Sequence, residues 1–338
     1  MPSPSAPTIL AVRFSSLGDL VLTTPLFRAI KRAHPPARIT LLTRSEYVPL
    51  FTHNPRIARV IGWDGEAPLR SITHELRRTE WTHRLDLHGS LRSHLVRRLV
   101  GGRWQGYPKR RLARAIQVRF KKDVYRDRRH VVERYFDAAK GLGATPDDQP
   151  PEVFVQMDSA SAADRFLREA GVADRTLVAI VPGAAHFTKQ WPEHHWAALI
   201  ELLTGRGLGI LVLGGKAEAS TGDRLAALAG RQGASAAGKF DLAGTAALLK
   251  RARVAVAGDT GVMHLATAVQ TPVVTLLGPT VREFGFTPWN ARSTIVERAL
   301  DCRPCSKMGG PACPLGHHHC MEWITAEEVA EAVRRLPQ

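Results

Sequence analysis

Residues 254–279, VAVAGDTGVMHLATAVQTPVVTLLGP, decide the fold. The apolar run 254–257 ends at Gly258, residues 262–269 carry apolar side chains at helical spacing, and the β-branched run 272–277 ends at Gly278. The order strand, turn, helix, strand is the repeating unit of a parallel sheet covered by helices. Asp259-Thr260-Gly261 falls in the turn, at the helix N-terminus. Unpaired backbone N–H groups and the helix dipole favour an anion there, and a diphosphate suits the place. In doubly wound sheets ligands collect outside the carboxyl ends of the strands, and this turn leaves such an end. The plainer assignment is that Asp259 or Thr260 only caps the helix.

Working outward, the second half repeats the same alternation. Strands are predicted at 177–181, 209–213 and 294–297, and helices at 193–203 and around 225–228. Residues 239–244 lead into a short helix from Thr245, and an amphipathic helix at 326–335 has Thr325 as its N-cap. The first half opens with a strand at 8–13 and continues with strands at 38–43, 59–63 and 84–87 and a helix at 131–142. Ser15-Ser16-Leu17-Gly18-Asp19 turns the first strand into a helix, and Ser16 with Asp19 fits a capping box, so Asp19 has a purely local role available. Pro25 starts a helix at Thr24 or kinks a longer one. The linker-like stretch 143–151, GATPDDQPP, marks a boundary: an N-terminal domain at 1–152, a C-terminal domain at 153–324, and a last helix at 325–338 free to pack back on the first domain. The fold class is α/β.

At 338 residues the chain has room for two domains with substantial cores. Hydrophobic residues at 44% and charged residues at 23% describe a globular protein rather than a disordered one. No apolar run reaches membrane-spanning length, and the start, MPSPSAPTIL, lacks a signal-peptide layout, so the expected location is the cytoplasm. A net charge of +16 and a pI of about 10.4 point to an anionic partner. Base is concentrated between Arg92 and Arg134. A solvated basic face explains such a run as readily as a binding surface does.

The strand-end loops carry Ser15, Ser16, Asp19, Thr188, Lys189, Glu218, Asp259, Thr260 and His264. None belongs to a G-x-G-x-x-G fingerprint, which sets back a nicotinamide-dependent dehydrogenase, and no Walker loop or G-x-S-x-G elbow is present. Three motifs occur in order: RFSSLGDLVLTTP at 13–25, Pro182-Gly183 with KQWPE at 189–193, and GDTGVMHL at 258–265 followed by Gly278-Pro279-Thr280. Together they resemble glycosyltransferase family 9, the ADP-heptose:lipopolysaccharide heptosyltransferases, over most of the chain. The cysteine-rich tail looks most like the heptosyltransferase II branch.

The resemblance implies a GT-B fold: two Rossmann-like domains facing across a cleft, acceptor on the first and nucleotide-sugar on the second. It also implies inversion by a single displacement with no catalytic metal or other cofactor. Asp19 matches the family's base, which would take the proton of an acceptor hydroxyl. Lys189 and the N–H groups at Thr260 and Gly261 would meet charge building on the diphosphate. Thr188 is placed at phosphate, Glu218 at the adenosine ribose, Asp259 at the donor sugar or its loop, and His264 at the donor or packed inside its helix. The implied acceptor is a lipid A bearing Kdo and heptose, which gives the basic residues a use. Ser15, Ser16, Arg92, Arg97, Arg98, Arg110 and Arg111 are the acceptor candidates, on a protein docked peripherally at the anionic inner face of the inner membrane. The nearest alternative is an enzyme of the same family with a different donor sugar or acceptor; one of a different class, a basic nucleic-acid-binding protein, lacks a recognisable module and interleaved aromatics, so no nucleic acid is expected.

The four cysteines, Cys302, Cys305, Cys313 and Cys320, fall in one segment with three histidines interleaved. In a cytoplasmic protein this predicts a structural zinc site, with free thiols next, ahead of an iron–sulfur cluster or a redox disulfide.

Overall fold

The computed structural model describes residues 6–337; residues 1–5, part of the start read as lacking a signal-peptide layout, lie outside them. Two units divide the chain, Met1–Lys109 with Arg129–Phe154, and Arg110–Arg128 with Val155–Gln338. Each is built on a sheet whose strands pair in parallel. Such a sheet is covered on both faces, which is why its strands read as continuous apolar runs.

In the first unit the strands are β1 (Thr8–Val12), β2 (Arg38–Arg44), β3 (Arg59–Trp63), β4 (His83–Asp86) and β5 (Gln105–Gly106), in the order β3-β2-β1-β4-β5. Val12 is aligned with Leu42 on one side and Asp86 on the other, so β1 is central. The order reverses beside β1, and the loops leaving β1 and β4 flank that switch point. Leu10, Val12, Phe14, Leu42, Trp63, Leu76 and Val96 form a core on one face of this sheet. Pro25 lies in the first turn of a helix of its own, Thr24–Ala33, after a separate short helix at Leu17–Val21.

In the second unit the strands are β6 (Leu177–Val181), β7 (Gly209–Val212), β8 (Gly233–Ser235), β9 (Val254–Gly258), β10 (Val273–Leu277) and β11 (Ser293–Glu297), in the order β11-β10-β9-β6-β7-β8. Here the switch point lies between β6 and β9. The quoted stretch forms β9, the helix Gly261–Ala268 and β10, with Ala255 aligned to Val273. The helix expected from Thr245 begins earlier, at Leu242, because Asp241 caps it by accepting the Gly244 N–H at 2.8 Å.

Two elements are placed by packing within the second unit. The final helix, Ala326–Arg335, buries its Val329, Ala330 and Val333 stripe in the core of that unit, with Trp196 and Leu199 of the helix Glu193–Thr204. Arg110 and Arg111, expected among acceptor-binding loops of the N-terminal domain, belong to the second unit. They open the helix Arg111–Phe120, where Arg114 lies 5.0 and 5.1 Å over the Phe284 and Phe286 rings. Lys121 follows and donates to the Cys302 and Pro304 carbonyls at 2.9 and 2.6 Å. Among the described residues no helix is long and apolar enough to cross a membrane.

Candidate active site

The second unit gathers a cluster of candidate residues at its own switch point. Lys189, on the loop after β6, places its Nζ 2.7 Å from Asp259 Oδ2 and 3.0 Å from the Asp259 carbonyl, on the turn after β9. Thr280, after β10, donates its hydroxyl to the same Oδ2 at 2.9 Å. Lys189 and Asp259 keep only 14% and 13% of their side chains exposed, so solvent screens the pair little. The KQWPE motif explains how Lys189 is held. Trp191 is buried with its indole N–H on the Ile324 carbonyl at 3.0 Å, Gln190 donates to the Ala184 carbonyl at 3.0 Å, and Pro192 precedes the helix Glu193–Thr204. Gly258 is required at the end of β9, since a Cβ there would meet the Lys189 carbonyl oxygen at 2.8 Å.

The helix Gly261–Ala268 starts at this cluster. Thr260 is its N-cap residue but makes no side-chain capping bond, and its hydroxyl oxygen is buried without a partner. Asp259 does not cap either, being held by Lys189 and Thr280. The first-turn N–H groups therefore lack the side-chain acceptor that the plainer assignment supplied, and they stand beside a cation at a strand end.

In the first unit Asp19 sits on the short helix after β1. Its Oδ2 lies 2.6 Å from the Arg13 guanidinium and accepts the Ser16 hydroxyl at 2.9 Å, while the Tyr135 hydroxyl donates to Oδ1 at 3.3 Å. Ser16 also forms the expected capping box with Asp19, so the local role and a chemical one coexist. Ser15 contributes its carbonyl to Arg13 at 2.8 Å. Arg13, only 4% exposed, also donates to the Leu87 carbonyl and to Tyr107. Burial works against its charge, but Asp19, Tyr135 and Tyr107 beside it hold the guanidinium above its ordinary value. Burial likewise pushes the Tyr135 phenol well above its usual range, so it stays a neutral donor. His88, after β4, is pushed down to about 4 by burial and by Arg13 and Lys109, and is neutral at neutral pH.

The remaining candidates are placed as follows. Glu218 lies over Gly183 and Gly214, where a Cβ would meet its side chain at 2.5 and 2.7 Å, and accepts the Gly215 N–H at 2.8 Å. Its carboxylate thus sits at the ends of β6 and β7. Thr188 is buried, and its hydroxyl is engaged by the Gly310 N–H at 2.8 Å, so it fastens the cysteine-bearing loop. His264 is 4% exposed, a histidine packed inside its helix. Arg92 and Arg98 are exposed on the helix Leu91–Val100; Arg92 lies 5.6 Å over the Trp63 ring, and Arg97 approaches Asp86 at 3.6 Å.

The four cysteines are free thiols, Cys302, Cys305 and Cys313 half-buried and Cys320 buried. Among the described residues the one group of three or more ligand atoms within 4.8 Å of one another is His194, His195 and Glu322, which contains none of Cys302, Cys305, Cys313 and Cys320. Burial and the neighbouring cysteines push the Cys305 thiol up and the Cys320 thiol up to about 12. What staples the loop is Arg303. Only 6% exposed, it donates to the Leu277, Gly278 and Thr280 carbonyls at 3.1, 2.5 and 2.8 Å and pairs with Glu297 at 2.8 Å.

Arg13, Tyr135, Thr280 and Arg303 were not among the candidates read from sequence. Arg13 carried a signal: an arginine directly after an apolar strand and inside the RFSSLGD motif. Thr280 carried one too, closing the Gly278-Pro279-Thr280 motif, whereas Tyr135 and Arg303 acquire meaning only from residues distant in the chain.

Comparison with known proteins identifies the family. The model of glycosyltransferase family 9 (heptosyltransferase) matches residues 69–315. Lipopolysaccharide heptosyltransferase 1 of Pseudomonas aeruginosa is 31% identical, over 88% of this chain and 86% of that protein. Lipopolysaccharide heptosyltransferase 2 of Escherichia coli is 27% identical, over 97% and 98%. The solved structure of the E. coli ADP-heptose lipopolysaccharide heptosyltransferase II superposes with a TM-score of 0.74 at 24% identity, covering 97% of both chains, and carries the GT-B fold over to this one. A family match over most of the chain and a relative 31% identical over 88% of it lead to one conclusion: this chain belongs to glycosyltransferase family 9, the heptosyltransferases.

Proposed function

We propose that the protein transfers heptose from ADP-heptose to the Kdo- and heptose-bearing inner core of lipid A, adding the second heptose, with inversion and without a catalytic metal. The observation that carries this reading is the Lys189–Asp259–Thr280 cluster beside the uncapped start of the helix Gly261–Ala268. A cation and a row of backbone donors at a strand end suit a diphosphate whose charge grows as it departs. Each well-placed donor of this kind contributes about 3 kcal/mol to the transition state. Glu218, at the ends of β6 and β7, is positioned for a ribose hydroxyl.

The acceptor hydroxyl attacks the anomeric carbon, the bond from that carbon to the diphosphate oxygen breaks, and the hydroxyl proton passes to Asp19. ADP carries away the bonding electrons. Aspartate is a weak base, so positioning must compensate, and Arg13, Ser16 and Tyr135 supply it. Arg13 also stabilises the carboxylate form, which favours a base that accepts its proton late, once the hydroxyl has become acidic.

A peripheral position on the cytoplasmic face of the inner membrane completes the reading. Leu91 and Leu95, 90% and 46% exposed, share the helix Leu91–Val100 with Arg92 and Arg98, a mixed apolar and basic surface suited to an anionic leaflet. The type 1 relative at 31% identity supports a second reading, in which the first heptose is the one added. An acceptor series separates the two: ADP release is measured with Kdo-lipid A carrying no heptose and carrying one. The proposal expects release with the one-heptose acceptor; release confined to the heptose-free acceptor assigns the first transfer, and release with neither removes the lipopolysaccharide acceptor.

A further inference from the structure

Five cationic side chains, Arg175, Lys250, Arg251, Arg253 and Arg292, the second, third and fifth exposed, line one open surface pocket of about 370 Å³ in the second unit, and no aspartate or glutamate lines it. It lies at the amino ends of the sheet. Arg175 and Arg253 precede β6 and β9, and Arg292 precedes β11, whereas Lys189 and Asp259 stand at the carboxyl ends of the same strands. The pocket is therefore separate from the candidate active site.

Part of this charge has a local use. Lys250 and Arg251 end the helix Leu242–Arg251, and Val269 and Gln270, just past the helix Gly261–Ala268, also line the pocket. Two helix C-termini bring about half a negative charge each. Asp164 pairs with Arg251 from outside the lining. Together these offset part of the positive charge. Arg175 donates to Gln232 Oε1 at 3.1 Å and Arg253 to the Leu336 carbonyl at 3.3 Å; both partners are neutral, and Arg253 Nε is buried with no hydrogen-bond partner among the described residues.

We propose that this pocket is a second anion site that takes a phosphate-bearing ligand, either free in solution or as the headgroup of an anionic lipid. Arginine forks match phosphate oxygens two at a time, and a concave wall of one sign concentrates anions from solution. The site goes beyond the transferase reaction and does not depend on it.

The test uses the full chain and inorganic pyrophosphate, followed by calorimetry. Lys189→Ala removes the cation of the candidate active site, and in that background a saturable pyrophosphate event is expected to remain. Adding Lys250→Gln, an exposed change that spares the fold, should weaken it severalfold, and Lys250→Gln with Arg253→Gln by about tenfold or more. ADP binding to the Lys250→Gln single variant should stay as in the unmodified chain. A parallel arm measures sedimentation with phosphatidylglycerol against phosphatidylcholine vesicles. Loss of phosphatidylglycerol binding in the double variant identifies a lipid headgroup as the source, and loss of pyrophosphate binding alone identifies a soluble one. If neither pyrophosphate nor vesicle binding responds to the substitutions, or pyrophosphate binds only where Lys189 is intact and vesicles do not bind, the second site does not exist.

Discussion

Lys189 and Asp259 depend on each other. Removing the lysine leaves a carboxylate only 13% exposed, with Thr280 as its remaining side-chain donor among those seen here, next to where a diphosphate would sit. Lys189→Ala is expected to weaken ADP binding by about ten- to a hundredfold, corresponding to about 1.5–3 kcal/mol for a charged hydrogen-bond donor. Titration calorimetry with ADP checks this, and an unchanged affinity would detach Lys189 from the donor. His88 sets a pH dependence. Its pKa falls from the ordinary 6.5 to about 4 through burial and the neighbouring Arg13 and Lys109. Between these values the unfolded chain binds a proton that the folded chain does not, so stability is full above about pH 6.5 and declines as pH falls toward 4. The side chain is only partly enclosed, which discounts the effect to about 1–2 kcal/mol. Urea unfolding across that range should show the decline, and His88→Gln should flatten it; an identical slope in both proteins would remove His88 as its cause.

The elements that hold the site differ in how plainly the sequence announces them. The run from β9 through its helix to β10 is legible because each piece has a clear period and a glycine or proline at its end, and the final helix because Thr325 caps it. β5 and β8 are two and three residues long, too short for any alternation, and were not anticipated. The helix Met157–Glu169 was missed as well, its run of small and polar residues giving only a weak apolar stripe. Within the site, Lys189 and Asp259 are readable because each lies in a local motif. Tyr135 is not, since it meets Asp19 across 116 positions, and only the topology of the first sheet brings them together. The cysteine segment shows the same limit: its spacing points to a metal, while the fastening by Arg303 through carbonyls around β10 has no signature in spacing. Arg303→Met should therefore cost about 3–5 kcal/mol, as expected when a buried donor to three carbonyls is removed, even though Glu297 keeps Arg282 as its partner. It should also weaken ADP binding through Thr280. Chemical denaturation and calorimetry on the same protein check both, and a variant of normal stability and affinity would show that the loop holds itself.

For the molecule as a whole, the proposal divides labour between the units: the base belongs to the first and the donor cradle to the second. ADP alone should then slow amide hydrogen exchange at residues 261–263 and around Lys189, with little effect on residues 15–19. Protection confined to the first unit would reverse the assignment. The net charge of +16 also gains a structural reading, since some of it lines a pocket and some shares a helix with exposed leucines. The central claim, that Asp19 takes the proton in a heptosyl transfer, is tested most directly by single-turnover transfer from ADP-heptose to an inner-core acceptor in the Asp19→Asn protein. The account predicts ADP-heptose binding within about twofold of the unmodified chain and transfer slowed by at least about a hundredfold. Transfer at a near-normal rate with donor still bound would contradict it.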